Sequence, residues 1–317
     1  MRLDNLVSLI GGELKNSPSI TQISHIGSQP QQIRRGSLFL AKDKSQVDEA
    51  IKAGAYAIAY EGWIQISDQE IAWIKVPDLS QAALRLVRFL LLQSQIPAVG
   101  VDDLEWDLAN TLIHDRRIHL FEDPFETLHT LQEQKPDLLL YPSHTKALEL
   151  STPTLPSIDI RIIQTYLFET SFVIEGHFYE RIRLARIFLP PLRKLLALGK
   201  EFQFELQFSA LERFPHFQPI FVDHTFTPQE FGKSEKVLVL EPDAKLLKKE
   251  KEYLLSQAPW AKSLFLSRKK LPGFRCYSTI DELKEILYNT PFNFALIHTQ
   301  NLDPAILKRP KREKTFF

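Results

Sequence analysis

The apolar residues of the chain fall into short runs that switch between helical and strand spacing. Leu3, Leu6, Val7, Leu9 and Ile10 share one helical face, and Gly11-Gly12 stops the run. Ser37 to Ala41 reads as a short strand entered through Gly36. Asp48 to Ala53 reads as a helix closed at Gly54, and Ala55 to Tyr60 as the next strand. Ile71 to Val76 predicts a further strand ended by Pro77, and Asp78 is placed to cap a helix over Ser80 to Leu92. Strands alternating with helices predict an α/β layer for a first domain, residues 1–94.

A second alternation follows over residues 95–218. Strands are expected at Ile96 to Val101, Arg117 to Phe121 and Asp137 to Tyr141, separated by helices at Leu104 to His114 and Phe125 to Gln134. This order predicts a parallel sheet. Residues 142–159 are rich in Pro, Ser and Thr and read as loop. Ser171 to Ile174 and Tyr179 to Leu184 flank Gly176 as a hairpin; Pro190 to Leu198 reads as a helix ending at Gly199, and Leu206 to Phe214 as a short helix. A third domain, residues 219–317, has strands at Ile220 to Asp223, Lys236 to Leu240, Ser263 to Leu266 and Phe294 to Ile297, with helices at Ala244 to Ser256 and Asp281 to Tyr288. The length of 317 residues suits two or three domains of ordinary size.

Composition narrows the classes. A hydrophobic share of 44% and a charged share of 25% match a folded globular protein. Lys+Arg and Asp+Glu both total 39, so the formal net charge is zero, and no general electrostatic case exists for nucleic acid or an anionic membrane as partner. The basic segment Lys308 to Lys314 reads as a solvated end, and the terminal Phe316-Phe317 as either a docking contact or a disordered end. The single cysteine, Cys276, excludes an intrachain disulfide and reads as a small half-buried apolar residue. The N-terminus lacks the apolar core of a signal peptide, and the run Leu84 to Leu92 is too short and too charged to span a bilayer. A cytoplasmic location is expected.

Two stretches carry a family resemblance. Ile33-Arg34-Arg35-Gly36-Ser37-Leu38-Phe39-Leu40-Ala41, then Ala50 to Ile58, then Val76-Pro77-Asp78 through Ala83-Leu84, resemble the N-terminal, UDP-binding domain of the Mur ligases. Val222-Asp223-His224-Thr225-Phe226-Thr227-Pro228 resembles the opening of the family's C-terminal domain, most like the MurE type, and Tyr277 to Leu283 resembles a MurF-type segment. The resemblance implies a three-domain α/β architecture with a shortened central parallel sheet and a Rossmann-like C-terminal domain. It also implies substrate contacts at Gln29, Gln31, Gly36, Ser37, Asp223 and His224.

The departures from the family pattern are as informative. The central domain of these ATP-dependent ligases opens with a strand and a Gly-rich loop ending in Gly-Lys-Thr, whose backbone N–H groups wrap phosphate while the hydroxyl helps hold Mg²⁺. Here Ala98-Val99-Gly100-Val101 runs into Asp102-Asp103-Leu104-Glu105-Trp106, and no glycine follows Gly100 until Gly176. The family's Asp-Ser-Arg triplet aligns with Gln29-Pro30-Gln31, and its late Lys-Gly-Ser run with His298-Thr299-Gln300. No counterpart of the acidic metal ligand or the modified lysine is present. The nine histidines show no metal-site spacing. The aromatic series Phe202, Phe204, Phe208, Phe214, Phe217, Phe221 and Phe226 reads as core.

The expectation is therefore a noncatalytic Mur-ligase relative with no cofactor and no catalytic residue. Its partner would be a protein, such as a cell-wall enzyme, or a UDP-sugar peptide. The alternative is a divergent active ligase using ATP and Mg²⁺. A third is a different enzyme with its site around Asp223 and His224.

Overall fold

The computed structural model describes residues 1–145, 148 and 153–307. The basic segment 308–314, Phe316-Phe317 and part of the 142–159 loop lie outside the described residues. The chain forms two compact units: Met1–Trp106, Ile113–Pro156 and Leu198–Glu205 make the first, and Asp107–Leu112, Ser157–Ala197 and Leu206–Phe317 the second.

In the first unit, helix α1 (Leu3–Ile10) ends at Gly11, whose φ of 66° gives the left-handed cap that glycine accepts without a Cβ penalty. The strands β1 (Glu13–Leu14), β2 (His25–Gly27), β3 (Ser37–Leu40), β4 (Ala55–Glu61) and β5 (Ala72–Val76) form one sheet in the order β1-β5-β4-β3-β2, in which only β1 is antiparallel. Helix α2 (Val47–Lys52) lies between β3 and β4 in sequence, and α3 (Leu79–Ser94) follows β5. As the sequence suggests, Asp78 caps α3 by accepting the Gln81 N–H at 2.9 Å.

Both faces of this sheet are covered. Leu38, Leu40, Ala59 and Ile74 pack with Leu3, Leu6, Leu86 and Val87 of α1 and α3. Phe39, Ile58 and Trp73 point the other way and pack with Val47 and Ala50 of α2. This alternation is the strand period of two expressed as two cores.

Strand β6 (Ala98–Val101), helix α4 (Asp103–Leu112), β7 (Ile118–Leu120), α5 (Pro124–Glu133) and β8 (Leu138–Pro142) follow, and the three strands form a parallel sheet ordered β6-β8-β7. Asp123 caps α5 through the Phe125 and Glu126 N–H groups at 2.7 and 3.3 Å.

In the second unit, β9 (Ile160–Thr165), β10 (Thr170–Ile174) and β11 (His177–Ile182) form an antiparallel sheet. The hairpin around Gly176 was expected; β9, beside β10, was not. Helix α6 (Leu189–Phe202) runs through Gly199 rather than ending there. A Cβ at Gly199 would lie 2.8 Å from the Phe204 carbonyl oxygen, so this glycine serves a close backbone approach. The expected helix over 206–214 is a 3-10 segment, Phe208–Arg213.

Strands β12 (Gln218–Val222), β13 (Lys236–Glu241), β14 (Ser263–Ser267), β15 (Arg275–Cys276) and β16 (Phe294–His298) form the last sheet, ordered β12-β13-β16-β14-β15. Only β12 is antiparallel. Helix α7 (Leu247–Gln257) and α8 (Ile280–Asn289) complete it, α8 burying Leu283, Ile286 and Leu287 against Leu238 and Ile297. Phe214, Phe217, Phe221 and Phe226 are buried, as core aromatics. Cys276 is exposed, contrary to expectation, because β15 is an edge strand. Among the described residues no helix is long and apolar enough to cross a membrane.

Candidate functional site

In the first unit, the loops after β2 and β3 leave the carboxyl ends of parallel strands, where open α/β sheets bind ligands. They border a cleft of about 610 Å³ whose wall includes Ser28, Gln29, Gln32, Lys42, Asp43 and Gln46, with Asp123, Glu126 and His129 from α5 and its cap. The loop is built from its own side chains. The Gln32 Oε1 accepts the backbone N–H groups of Ser28 at 2.9 Å and Gln29 at 3.2 Å, and Pro30 opens the 3-10 turn Pro30–Gln32. Asp43 accepts the Ser45 hydroxyl at 2.7 Å and its N–H at 3.0 Å, which holds its carboxyl below the usual range. Lys42 Nζ lies 3.5 Å from the Asp123 carboxylate and over the Phe125 ring.

Four of the residues proposed from sequence lie in this unit, and they divide by role. Gln29 lines the cleft, whereas Gln31 is exposed and outside its wall. Gly36 has φ 91°, and a Cβ there would meet the Ser24 hydroxyl oxygen at 2.8 Å. Ser37 is fully buried, and its hydroxyl accepts the Arg34 N–H at 3.0 Å. Gly36 and Ser37 thus shape the turn that carries the loop.

Elsewhere in the first unit, Gln132 of α5 binds both backbone groups of Ile26 in β2, accepting its N–H at 3.0 Å and donating to its carbonyl at 2.9 Å. His25, next in β2, is buried; desolvation, reinforced by Arg34, holds its pKa below the usual value. Sequence reasoning did not single out either residue.

The junction of β6 and α4 is where a phosphate loop would begin. Here Asp102 and Glu105 cap the helix reciprocally: the Asp102 N–H donates to Glu105 Oε2 at 2.9 Å, and the Glu105 N–H donates to Asp102 Oδ1 at 2.8 Å. The last glycine of the strand, Gly100, is covered by the Tyr141 ring of β8, which a Cβ at that position would meet at 3.3 Å.

Asp223 and His224 lie in the second unit. Strand β12 stops at Val222, so Asp223 opens a turn instead of ending a strand as expected. Its carboxylate accepts the Thr225 N–H at 2.8 Å, the Thr225 hydroxyl at 2.7 Å and the Thr227 N–H at 2.9 Å. These bonds, the Thr225 hydroxyl first, hold its pKa low. His224 is exposed.

A cluster missed by sequence reasoning is buried in the same unit. His216 hydrogen-bonds Glu241 through Nδ1 and Asp107 through Nε2, each at 2.8 Å. Glu241, at the carboxyl end of β13, also accepts the N–H groups of Phe217 and Asp243. Glu250 of α7 is wholly buried nearby, and burial together with the Glu241 charge favours its protonated form, which can donate to the Glu241 carboxylate. No local spacing signals this cluster. Among the described residues no group of three His, Cys, Asp or Glu side chains is placed to hold a metal ion.

No protein-family model matches the chain, and no curated protein sequence is similar to it. Solved structures do match. A MurF crystal structure from Acinetobacter baumannii aligns over 94% of this chain and 95% of its own, with a TM-score of 0.52 and 11% identity. MurF ligase from Thermotoga maritima in complex with ADP aligns over 86% and 93%, with a TM-score of 0.48 and 12% identity. At these identities the likeness is one of fold, and the chain has a Mur ligase-like α/β fold.

Proposed function

We propose that this protein is a noncatalytic relative of the Mur ligases, with a binding or scaffolding role linked to peptidoglycan synthesis. One observation carries the reading. At the junction of β6 and α4, the N–H groups of Asp102 and Glu105 are taken by carboxylates of the chain itself. A nucleotide triphosphate placed there would compete with two intramolecular caps and face Asp102, Asp103 and Glu105 at the helix start. Phosphoryl transfer depends on positioning and charge stabilisation, so a site that repels the phosphates retains little catalysis.

In this reading no cofactor is needed, and the partner is a protein, such as another cell-wall enzyme. A UDP-sugar peptide is the small-molecule ligand suggested by the resemblance; the matching segment begins at Ile33, and at Gln29-Pro30-Gln31 the family's nucleotide-holding triplet is replaced. A cytoplasmic location fits the role.

The test is a turnover assay on the purified full chain with ATP, Mg²⁺, UDP-N-acetylmuramoyl peptides and a panel of amino acids. The expected result is no amino-acid-dependent release of ADP. Release above the buffer control would overturn the reading in favour of a divergent ligase.

A further inference from the structure

The charges of the chain balance as a whole but not locally. Residues 245–275 carry nine lysines and arginines against Glu250 and Glu252, and Glu250 is fully buried. The formal net charge of the whole chain is zero, so the excess belongs to one surface of the second unit.

The fold gathers these cations. Lys248 and Leu255 lie two turns apart on one exposed stripe of α7. Lys251, between them, donates to the Gly273 carbonyl at 3.0 Å and lies over the Phe265 and Phe274 rings, 5.1 and 5.4 Å from their centroids. This fastens the 268–274 loop, which joins β14 to β15, alongside the helix. The loop presents Lys269 and Lys270, and the edge strand β15 presents Arg275, all three exposed. The side chains of Lys248, Lys269, Lys270 and Arg275 make no hydrogen bond or ion pair with any described residue.

Two large apolar side chains stand open on the same stretch of chain. Leu255 is 45% exposed, and Trp260, in the turn from α7 to β14, is 75% exposed. Uncommitted cations beside an exposed indole and an exposed leucine combine the two attractions of a peripheral membrane site: charge for the headgroups and apolar surface for the interface. A nucleic acid fits less well. Leucine offers no stacking face to a base, and lysine outnumbers arginine seven to two in this segment, whereas bidentate recognition of phosphates and bases favours arginine.

We propose that this face of α7 and the 268–275 segment binds an anionic lipid surface. Lys248, Lys269, Lys270 and Arg275 meet the headgroups, and Leu255 and Trp260 enter the interface. The inference goes beyond the noncatalytic reading and does not depend on it, because it concerns a surface of the second unit and no nucleotide.

The test is co-sedimentation of the full chain with vesicles of phosphatidylcholine alone and of equal parts phosphatidylcholine and phosphatidylglycerol. Binding is expected to the anionic vesicles only, and to weaken as salt rises. Lys269→Gln combined with Lys270→Gln is expected to lower that affinity about 25-fold, at about fivefold per cation, with the melting temperature unchanged. Tryptophan fluorescence is expected to shift to the blue on the anionic vesicles, and Trp260→Phe to abolish the shift. Absence of binding to anionic vesicles, equal binding to neutral ones, native affinity in the double variant, or tighter binding of a single-stranded oligonucleotide at the same lysines would each overturn the inference. None of these outcomes bears on ATP, so failure here is distinguishable from failure of the noncatalytic reading.

Discussion

The Nδ1 of His216 lies 2.8 Å from Oε1 of Glu241, a fully buried carboxylate at the carboxyl end of β13. The other ring nitrogen lies 2.8 Å from Asp107, so one buried imidazole bridges two carboxylates contributed from chain positions 25 and 109 residues away. Burial opposes charge on this ring, but the hydrogen bonds and charges of Asp107 and Glu241 outweigh it and push its pKa up to about 9.

The sign of the pH dependence follows. A histidine whose pKa is raised on folding contributes stability that is fully present below its unfolded value of about 6.5 and is lost as pH rises through about 9. Urea unfolding is expected to show falling stability between these limits in the native protein. His216→Gln is expected to cost about 3 kcal/mol near pH 6.5, because it leaves buried Glu241 without its cationic partner, and to flatten the alkaline slope. An unchanged slope in the variant would show that His216 is not the titrating group.

Glu250 predicts a gain. Burial, with the Glu241 and Asp243 carboxylates nearby, raises its pKa well above the usual value. Its proton is therefore held more tightly in the folded state, and its contribution to stability declines as pH rises above about 4.5. Glu250→Met, which keeps the volume and removes a buried carboxyl that loses stability as it gives up its proton beside Glu241, is expected to stabilise the protein by about 1–2 kcal/mol at pH 8 and by little at pH 5, where the protonated Glu250 still bonds Glu241. Thermal unfolding at the two pH values checks it.

Gln132 is expected to matter more than its position on an amphipathic helix suggests. Its amide satisfies both the N–H and the carbonyl of Ile26. Gln132→Ala leaves two β2 backbone groups unpaired and is expected to cost about 1–3 kcal/mol by chemical denaturation. Gln132→Glu keeps the acceptor but loses the donor, so it should rescue only part of that loss.

The contrast between these sites and the fold shows what a sequence exposes. The α3 helix was legible because its signals are local: a cap at Asp78, helical spacing and a preceding proline. The β10–β11 hairpin was legible from the glycine between its strands. Strand β9 was not, although only residues 166–169 separate it from its partner β10, because it follows directly on the Pro-, Ser- and Thr-rich segment and its exposed Arg161 and Gln164 leave no clean alternation. Gly199 misled for a related reason, because what it accommodates is the carbonyl of Phe204 and not a helix end. Gln29 was named by its alignment with a family triplet that this chain has lost, and it lines a cleft, whereas the His216 bridge joins three distant side chains that no spacing rule connects.

At the start of α4 the two caps are mutual, so they are expected to act as a unit. Asp102→Ala and Glu105→Ala should each cost about 1 kcal/mol in denaturation midpoints, and the double variant should cost less than the sum. Additive losses would contradict the reciprocal arrangement.

The central claim concerns what this helix start can hold. The most direct measurement is calorimetric titration of the full chain with Mg-ATP. The noncatalytic reading predicts no saturable heat up to millimolar nucleotide. Saturable, Mg²⁺-dependent binding that strengthens when Asp102 and Glu105 are replaced by alanine would place ATP at the β6–α4 junction and contradict it.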